Sequence, residues 1–416
     1  MDHVKEKFQS LQAKLTSSAD TDIPPTPDTP SEAIPSNSQV VQQHEHRLHS
    51  WADHYTGMID TTTLNGPQTA GGVHDPVAHD SAPHTHLLWF YGHHTPHSDD
   101  PEQAAKHFHF KVYNRRTGTV EKEKVPLATK LGMEFLFEDM RSVDATAFIK
   151  KRLEKETIRM GRAYNEPESA KHIPGFVTAF NLPLDILVEP DIEQYRTFNE
   201  FFARKMKPEC RPIAHSGDEA IVSSAADCRL SVFPTIDLAK QYWIKGHNFT
   251  LENLFQDSSL AQTFSGGSLG IFRLAPQDYH RWHSPVSGVL NPIKKIPGTY
   301  YTVNPKAVRE NLDVYTENTR HVSVLSSPVF GKIGIVAVGA MLVGSIVITA
   351  DEGTRLERGQ EMGYFEFGGS TVIVLFEKGR MMWDEDLVSR SQLGMETLVL
   401  LGDKIGQRVE TESVSR

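Results

Sequence analysis

The sequence predicts an α+β protein with a mainly β core, helices before that core and a largely disordered N-terminal tail. Residues 16–105 are rich in Ser, Thr, Pro, Asp and His and show little periodicity, so this stretch has too little apolar surface to order itself. Apolar residues recur at helical spacing over 131–160 and 195–206. From about residue 220 to 400, short apolar segments alternate with closely spaced Gly and Pro turns, which is typical of strands.

Two parts of the chain are therefore expected, a low-complexity tail over 1–105 and a folded domain over 106–416. The domain is predicted to begin with a hairpin over 108–125, where an Arg-Arg-Thr-Gly turn separates two alternating segments. The tail holds most of the 20 histidines, in groups such as His93-His94. Because their spacing matches no four-ligand zinc pattern, we interpret them as solvated sequence and predict no metal site.

Composition narrows the range of partners and compartments. A formal net charge of -10 argues against nucleic acid as a partner. The two cysteines, Cys210 and Cys228, allow at most one disulfide, which is the usage of a reducing compartment. The first residues lack the apolar segment of a secretory signal. We expect a protein that is cytoplasmic or peripheral on an endomembrane, without a signal peptide or a transmembrane helix.

The uncharged run from Ile333 to Ala350 has about the length of a short membrane-spanning helix. Its spaced glycines and its many Val and Ile residues instead favour two consecutive buried strands with a bend at Val343-Gly344-Ser345. We therefore assign this run to the core.

Residues 351–376 show short strands between Gly turns and resemble the flattened barrel-sandwich of biotinyl and lipoyl carriers. Those carriers bear a modified lysine on a hairpin tip, whereas Gly-Gly-Ser stands near the equivalent turn here. The core is thus predicted to include a barrel-sandwich portion that does not serve as a carrier.

The stretch FEFGGSTVIVLFEKG, residues 365–379, reads as a half-buried strand that is interrupted by Gly368-Gly369-Ser370. Asp, His and Ser also occur in three separated segments, 223–230, 273–288 and 367–371, which invites a hydrolase interpretation. A nucleophile elbow requires Gly-x-Ser-x-Gly between a strand and a helix, and Ser370 has no helix after it. The pattern therefore disfavours an ordinary hydrolase.

Attack on the chain itself fits these residues better. If a strained backbone presents the Ser370 hydroxyl to the carbonyl of Gly369, the serine attacks its own peptide bond, and the absent Cβ of Gly369 eases the approach. The resulting ester loses its Cα proton to a base and splits by β-elimination. The dehydroalanine that remains hydrolyses to a pyruvoyl group, an electrophilic ketone that needs no added cofactor.

Several long motifs occur in the order found in one family. RLAPQDYHRWHSPVSG, IPGTYYTVNP, VGAMLVGSI and FGGSTVIVLF resemble the successive motifs of the phosphatidylserine decarboxylase family, and TFNEFFARKMKP is similar to its upstream signature. The resemblance extends from about residue 110 to 407. It implies self-cleavage into a β chain that ends at residue 369 and an α chain over 370–416. It also implies decarboxylation of phosphatidylserine to phosphatidylethanolamine and CO2.

The resemblance also implies roles for single residues. Ser370 would become the pyruvoyl group, Asp227 and His283 would complete the self-processing triad, and His280 would contact the substrate. Imidazole suits proton transfer near neutral pH, and a ketone can take up the electrons of a departing carboxylate. Gly369-Ser370 is favoured over the other Gly-Ser pairs because its preceding aromatic residues and following strand match the family motif.

Two other functions stay open. One is a pyruvoyl-dependent decarboxylase of a free aromatic amino acid such as tryptophan, although residues 296–320 keep the pattern of the lipid enzymes. The other is a processing-dead, lipid-binding homologue. The expected partners are phosphatidylserine in a membrane surface and the protein's own α and β chains, and a homodimer is left open. Residues 172–187 either dip into the lipid surface or form a core-facing helix.

Overall fold

A computed structural model of the 416-residue chain describes residues 111–122, 158–159, 161–244, 249–301, 313–340, 345–366 and 370–409. These residues belong to one compact unit of the chain, Arg47–Arg416. The predicted tail over 1–105 and nearly all of the predicted helical region over 131–160 lie outside the described residues, so both stay predictions.

Strands dominate the described residues, as expected for the region after residue 220. They are β1 (Lys111–Asn114), β2 (Thr119–Lys122), β3 (Ile221–Ser223), β4 (Cys228–Phe233), β5 (Ser268–Leu274), β6 (Arg281–His283), β7 (Gly288–Leu290), β8 (Lys294–Ile296), β9 (Arg320–Ser327), β10 (Gly331–Gly339), β11 (Ile346–Ile348), β12 (Arg355–Leu356), β13 (Glu361–Phe365), β14 (Ser370–Phe376), β15 (Met381–Trp383), β16 (Glu396–Val399) and β17 (Lys404–Arg408).

The helices of the described residues are short. They are α1 (Ile173–Phe180), α2 (Phe198–Phe202), α3 (Ile236–Tyr242), α4 (Leu251–Phe255), α5 (Ser258–Thr263), α6 (Val314–Glu317) and α7 (Glu385–Gln392), with 3-10 turns at Pro167–His172, Ile192–Gln194 and Pro208–Cys210. Four of them begin with a side-chain cap, for example Thr197, which accepts a hydrogen bond from the Glu200 amide before α2.

The strands form one large sheet and two small ones. The large sheet has 11 strands in the order β12-β7-β9-β10-β14-β5-β4-β16-β1-β2, with β8 paired to β9. The small sheets have the orders β11-β13-β6 and β15-β17-β3. Neighbouring strands are antiparallel except β1 and β16, which are parallel. The α+β, mainly β prediction is confirmed.

The centre of the large sheet is buried on both faces. Along β14, Ile373 and Leu375 belong to a core cluster that includes the apolar residues of α3 and α4. Their neighbours Val372, Val374 and Phe376 belong to a second cluster, which includes residues of β13, β15 and α7. Because both faces are covered, the strand reads as a continuous apolar run instead of an alternating one.

Several sequence predictions are confirmed, and one is too long. The predicted hairpin is formed by β1 and β2, with Gly118 at φ 71 in its turn. The run 333–350 forms β10 and β11, and most of its predicted bend lies outside the described residues. Within the described ranges, no helix is both long enough and apolar enough to span a membrane. The helix predicted over 195–206 is confined to α2, because the chain leaves the helix at Ala203 and Met206 bridges Leu187.

A third core cluster decides how the segment 172–187 is used. Leu187 is buried there, and Phe176 and Leu184 pack against the cluster, which also holds the phenylalanines of α2. Phe176 makes ring contacts with Phe198 at 5.3 Å and with Phe180 at 4.9 Å. The structure therefore supports the core-facing alternative for this segment.

Candidate active site

Ser370 is the first residue of β14 and lies in the middle of the large sheet. Its backbone is opposite Gly339 of β10 on one side and Leu274 of β5 on the other. The side chain is fully buried. The preceding strand, β13, ends at Phe365 and belongs to a different sheet, so the chain passes from one sheet to another at residues 366–369. Gly369 lies outside the described residues.

His280 contacts Ser370 directly. Its Nδ1 lies 3.1 Å from the Ser370 Oγ, and its Nε2 lies 3.0 Å from the carbonyl oxygen of Ala275. A carbonyl only accepts, so Nε2 carries the proton of the neutral ring and Nδ1 presents a lone pair. The Ser370 hydroxyl therefore donates to His280. This is the arrangement in which an imidazole can take the proton of a serine nucleophile.

The surroundings of His280 keep its ring neutral. The imidazole is fully buried and lies against the ring of Phe202, with centroids 3.9 Å apart. Burial, followed by the nearby charge of Arg204, lowers the pKa of His280 to about 3. At neutral pH the residue is thus a hydrogen-bond acceptor on the Ser370 side.

His283 lies in β6 and has a different set of contacts. Its backbone amide donates to the carbonyl of Ala225, and its Nδ1 donates to the carbonyl of Gly359 at 2.9 Å. The Nε2 is buried and has no hydrogen-bond partner among the described residues. Burial lowers the pKa of His283, and the carbonyl of Gly359 and the carboxylates of Glu361 and Asp227 oppose that effect.

Asp227 precedes β4 and is held by an arginine. Arg211 Nη2 donates to Oδ2 at 2.7 Å and Arg211 Nε to Oδ1 at 2.9 Å. The backbone amide of Leu401 also donates to Oδ1, at 2.8 Å. Both members of this ion pair are largely buried. Bidentate contact with a guanidinium fixes the orientation of the carboxylate.

Among the described residues, the contacts of the four predicted side chains fall into two groups. Ser370 and His280 are hydrogen-bonded, whereas Asp227 lies near enough to His283 to oppose the lowering of its pKa but shares no hydrogen bond with it among the described residues. His283 and Ser370 likewise share no hydrogen bond among the described residues. The division of roles between His280 and His283 stays a prediction.

Sequence reasoning missed the residues that support these groups. Arg211 holds Asp227, and Phe202 and Arg204 lie against His280. Phe202 and Arg204 lie within the upstream signature TFNEFFARKMKP, and Arg211 lies just after it. The signature itself was therefore the available signal. No local spacing reveals their contacts, since Phe202 and Arg204 are far in sequence from His280 and Arg211 is 16 positions from Asp227.

Two further predictions concern side chains near the site. Ser268, of the alternative Gly267-Ser268 pair, lies in β5, and the hydrogen-bond partner of its hydroxyl among the described residues is the sulfur of Met381, at 3.9 Å. Both cysteines are free, and burial raises the pKa of Cys228, so this residue is a small buried apolar group.

Comparison with known proteins gives a consistent match. The family model for phosphatidylserine decarboxylase matches residues 198–407. Phosphatidylserine decarboxylase proenzyme 3 of Schizosaccharomyces pombe is 46% identical over 301 residues, which are 72% of this chain and 31% of that protein. A proenzyme of Clostridium perfringens is 39% identical over 306 residues, which are 72% of this chain and 99% of the bacterial protein.

The chain belongs to the phosphatidylserine decarboxylase family. Its segments around His280 and Ser370 therefore lie in the matched region, together with Asp227. Proenzyme 2 of Oryza sativa is 43% identical over 304 residues, or 48% of its own length. The chain thus spans less than half of the fungal and plant family members named here and nearly all of the bacterial one.

Proposed function

We propose that this chain is a pyruvoyl-dependent phosphatidylserine decarboxylase that activates itself by cleavage between Gly369 and Ser370. The observation that carries the proposal is the hydrogen bond between the buried Ser370 hydroxyl and His280 Nδ1, at the first residue of a central strand. Family membership and the names of the relatives support the substrate.

The first chemical step is attack of the Ser370 Oγ on the carbonyl carbon of Gly369. The hydroxyl proton leaves to an imidazole, the peptide C–N bond breaks, and the released amine of Ser370 takes up a proton. The hydrogen bond to His280 supplies one acceptor for the hydroxyl proton. His283, with its unpartnered Nε2 near Asp227, is a second base. The resemblance to the family assigns this step to His283.

The second step removes the Cα proton of residue 370 and breaks the bond between Cβ and Oγ. The carboxylate of Gly369 departs with that oxygen, and water then replaces the nitrogen as ammonia. The burial of Ser370 favours this sequence because it keeps competing water from the ester. The α chain would then begin with a ketone at position 370.

The position of Ser370 fits such a ketone. The group would supply an electron sink for the departing carboxylate once the substrate amine has reacted with it. Position 370 is enclosed by the strands that hold Gly339 and Leu274, and His280 lies within hydrogen-bond distance. His280 presents its unprotonated Nδ1 to this position, so it would take up a proton in one step and return it to the reacting carbon in a later step.

A cleft lined by Arg281, the residue after His280, is the proposed approach for the head group. It has a volume of about 490 Å3. Arg281 and Tyr364 line it on the strand side and Arg196 on the side of α2. Arg281 follows His280 in the chain, and Glu366, another lining residue, ends the described segment before residues 367–369. A membrane surface would present phosphatidylserine to this side.

The test combines processing with substrate choice. Purified protein should show two chains on a denaturing gel, and mass spectrometry should find an α chain that begins with a pyruvoyl group at position 370. CO2 should be released from phosphatidylserine vesicles and not from free tryptophan. An unmodified serine at the new N-terminus would indicate ordinary proteolysis, release from tryptophan alone would favour the amino-acid enzyme, and a single uncut chain would favour the processing-dead homologue.

A further inference from the structure

The turn that carries His280 determines where its imidazole lies. It links β5 to β6 through residues 275–280 and forms no regular secondary structure. Within it, the amide of Asp278 donates to the carbonyl of Ala275 at 2.8 Å, and the Asp278 carboxylate accepts from the Ala275 amide at 2.7 Å. The Ala275 carbonyl also accepts from His280 Nε2, so the position of the imidazole depends on the geometry of this turn.

Arg204 holds the turn from one side. Its Nη2 donates to the carbonyl of Gln277 at 3.0 Å and to that of Asp278 at 3.1 Å. The side chain is buried, and no carboxylate bonds it directly among the described residues. Burial lowers the pKa of Arg204 to about 10, which leaves the guanidinium charged at neutral pH. A buried cation whose hydrogen bonds end on two carbonyls of one turn fixes that turn strongly.

Arg229 holds the same turn from the other side. It lies in β4, two residues after Asp227, and its Nη1 forms a buried ion pair with the carboxylate of Asp278. The same carboxylate accepts a hydrogen bond from the Ala275 amide, so the ion pair fixes both Asp278 and Ala275 relative to β4. The two arginines come from segments that are distant in sequence and meet at residues 275–280.

We propose that Arg204 and Arg229 are positioning residues that clamp the 275–280 turn and thereby hold His280 Nδ1 against Ser370. This proposal rests on the proposed function for its catalytic consequence. It assigns a task to the FFAR part of the upstream signature: Phe202 supports the face of the imidazole while Arg204, two residues later, holds the turn behind it. Neither arginine needs to touch the substrate.

The clamp predicts a particular pattern of kinetic change. A catalytic group displaced by about 1 Å can lose roughly 10²-fold in rate, so loosening the turn should lower kcat. Substrate binding should be little affected, because Arg204 bonds only backbone carbonyls of its own protein. Arg204→Lys keeps one charged donor and should recover part of the loss, whereas Arg204→Met should not.

The experiment measures amide hydrogen exchange by mass spectrometry in the full chain, together with decarboxylation of phosphatidylserine vesicles. Arg320→Met is the matched control, because Arg320 is also buried and also donates to backbone carbonyls, those of Asn253, Leu254 and Asn318. Arg204→Met should speed exchange in the 275–283 peptide roughly tenfold or more and lower kcat, with KM unchanged. Arg320→Met should lower the melting temperature without a selective effect on that peptide.

Two results would overturn the clamp. Unchanged exchange in the 275–283 peptide of Arg204→Met would show that the turn holds itself. A raised KM with an unchanged kcat would show that Arg204 binds the substrate. If the wild-type protein releases no CO2 from phosphatidylserine, the proposed function fails, and the exchange measurement alone still decides whether the clamp exists. Asp278→Asn, which removes the ion pair but keeps an acceptor for the Ala275 amide, should loosen the same peptide.

Discussion

His280 and His283 are three residues apart, yet they lie in different environments. His280 bonds Ser370 and the Ala275 carbonyl and is lined by a phenylalanine ring, with the cation of Arg204 nearby. His283 bonds the Gly359 carbonyl, keeps one nitrogen unpartnered among the described residues, and faces the carboxylates of Asp227 and Glu361. Burial lowers the pKa of both rings; the charge of Arg204 adds to that lowering at His280, whereas the carboxylates of Asp227 and Glu361 oppose it at His283.

The difference follows from where β6 begins. His280 ends the turn and His283 lies inside the strand, so the two side chains leave the backbone toward different neighbours. The two imidazoles are therefore close in sequence but differ in their contacts. His280 touches the predicted nucleophile, Ser370, whereas the pKa of His283 is affected by two nearby carboxylates.

The largest effect is expected from removing the Ser370 hydroxyl, which is hydrogen-bonded to His280 and, among the described residues, not to His283. Ser370→Ala deletes the nucleophile, so the chain should remain uncut and release no CO2, whereas wild-type protein gives two bands. Ser268→Ala, a buried serine on the neighbouring strand, is the matched control and should still be cut. A cut Ser370→Ala chain would move the cleavage point elsewhere.

Exchanging the histidines one at a time tests the comparison itself. His283→Ala should block self-cleavage if the family assignment holds. His280→Ala should still cleave at least in part but lose roughly 10²–10⁴-fold in decarboxylation, because that is what a positioned proton donor contributes. Cleavage is scored on a gel, and CO2 release is scored with labelled phosphatidylserine. Equal loss of cleavage in both variants would instead give His280, which touches Ser370, a share in the first step.

The pH dependence of the free energy of unfolding tests whether the His280 ring is buried in its neutral form. His280 is neutral when folded because its pKa is lowered to about 3, and it takes up a proton on unfolding below pH 6.5. The unfolded state then binds more protons, so stability is lost as pH falls from about 6.5 toward 3, by up to about 1.4 kcal/mol per pH unit. His280→Gln should show a flatter decline in urea unfolding between pH 7 and 5. Parallel slopes would contradict the burial of a neutral ring.

The smallest effect is expected at the rim of the cleft, outside both environments. Arg196 is exposed and pairs with Glu200 at 3.5 Å. Arg196→Glu should raise the KM for anionic vesicles by roughly twofold to fivefold and leave kcat unchanged, since exposed charges contribute little. Arg355→Glu, another exposed arginine paired with a nearby glutamate, is the control. A KM equally raised in both would point to general attraction to the vesicle and not to the cleft.

Much of the fold could be predicted because local patterns and final environment agree. The continuous apolar run at 372–376 belongs to a strand that is buried on both sides, and the Gly turn after β1 closes a hairpin. The helix over 195–206 was predicted too long, since apolar spacing does not reveal that the chain turns at Ala203 to bring Arg204 to residues 277 and 278. That turn is set by a tertiary contact.

The candidate site was predictable for residues within the family motifs and not for their supports. Asp227, His280, His283 and Ser370 all lie in the predicted motifs, and the hydrogen bond between His280 and Ser370 joins two of those motifs. The hydrogen bond between His280 and Ser370 depends on the pairing of β5 with β14, which carries no short-range signal, and the ion pair of Arg211 with Asp227 joins a loop to the start of β4. Burial, which sets the protonation of both rings, likewise follows from the assembled sheets.

The central place of β14 affects how the protein can be assembled. Before cleavage, β14 reaches its position between β10 and β5 as part of one chain, and β16 likewise enters between β4 and β1. After the proposed cut, those same strands belong to a separate α chain. Unfolding then releases two molecules, and refolding becomes a bimolecular reaction that slows on dilution. The uncut Ser370→Ala chain would refold at a rate independent of concentration. The covalent link would keep β14 and β16 in the same molecule as their neighbouring strands during folding, and the cleaved protein would lack that link.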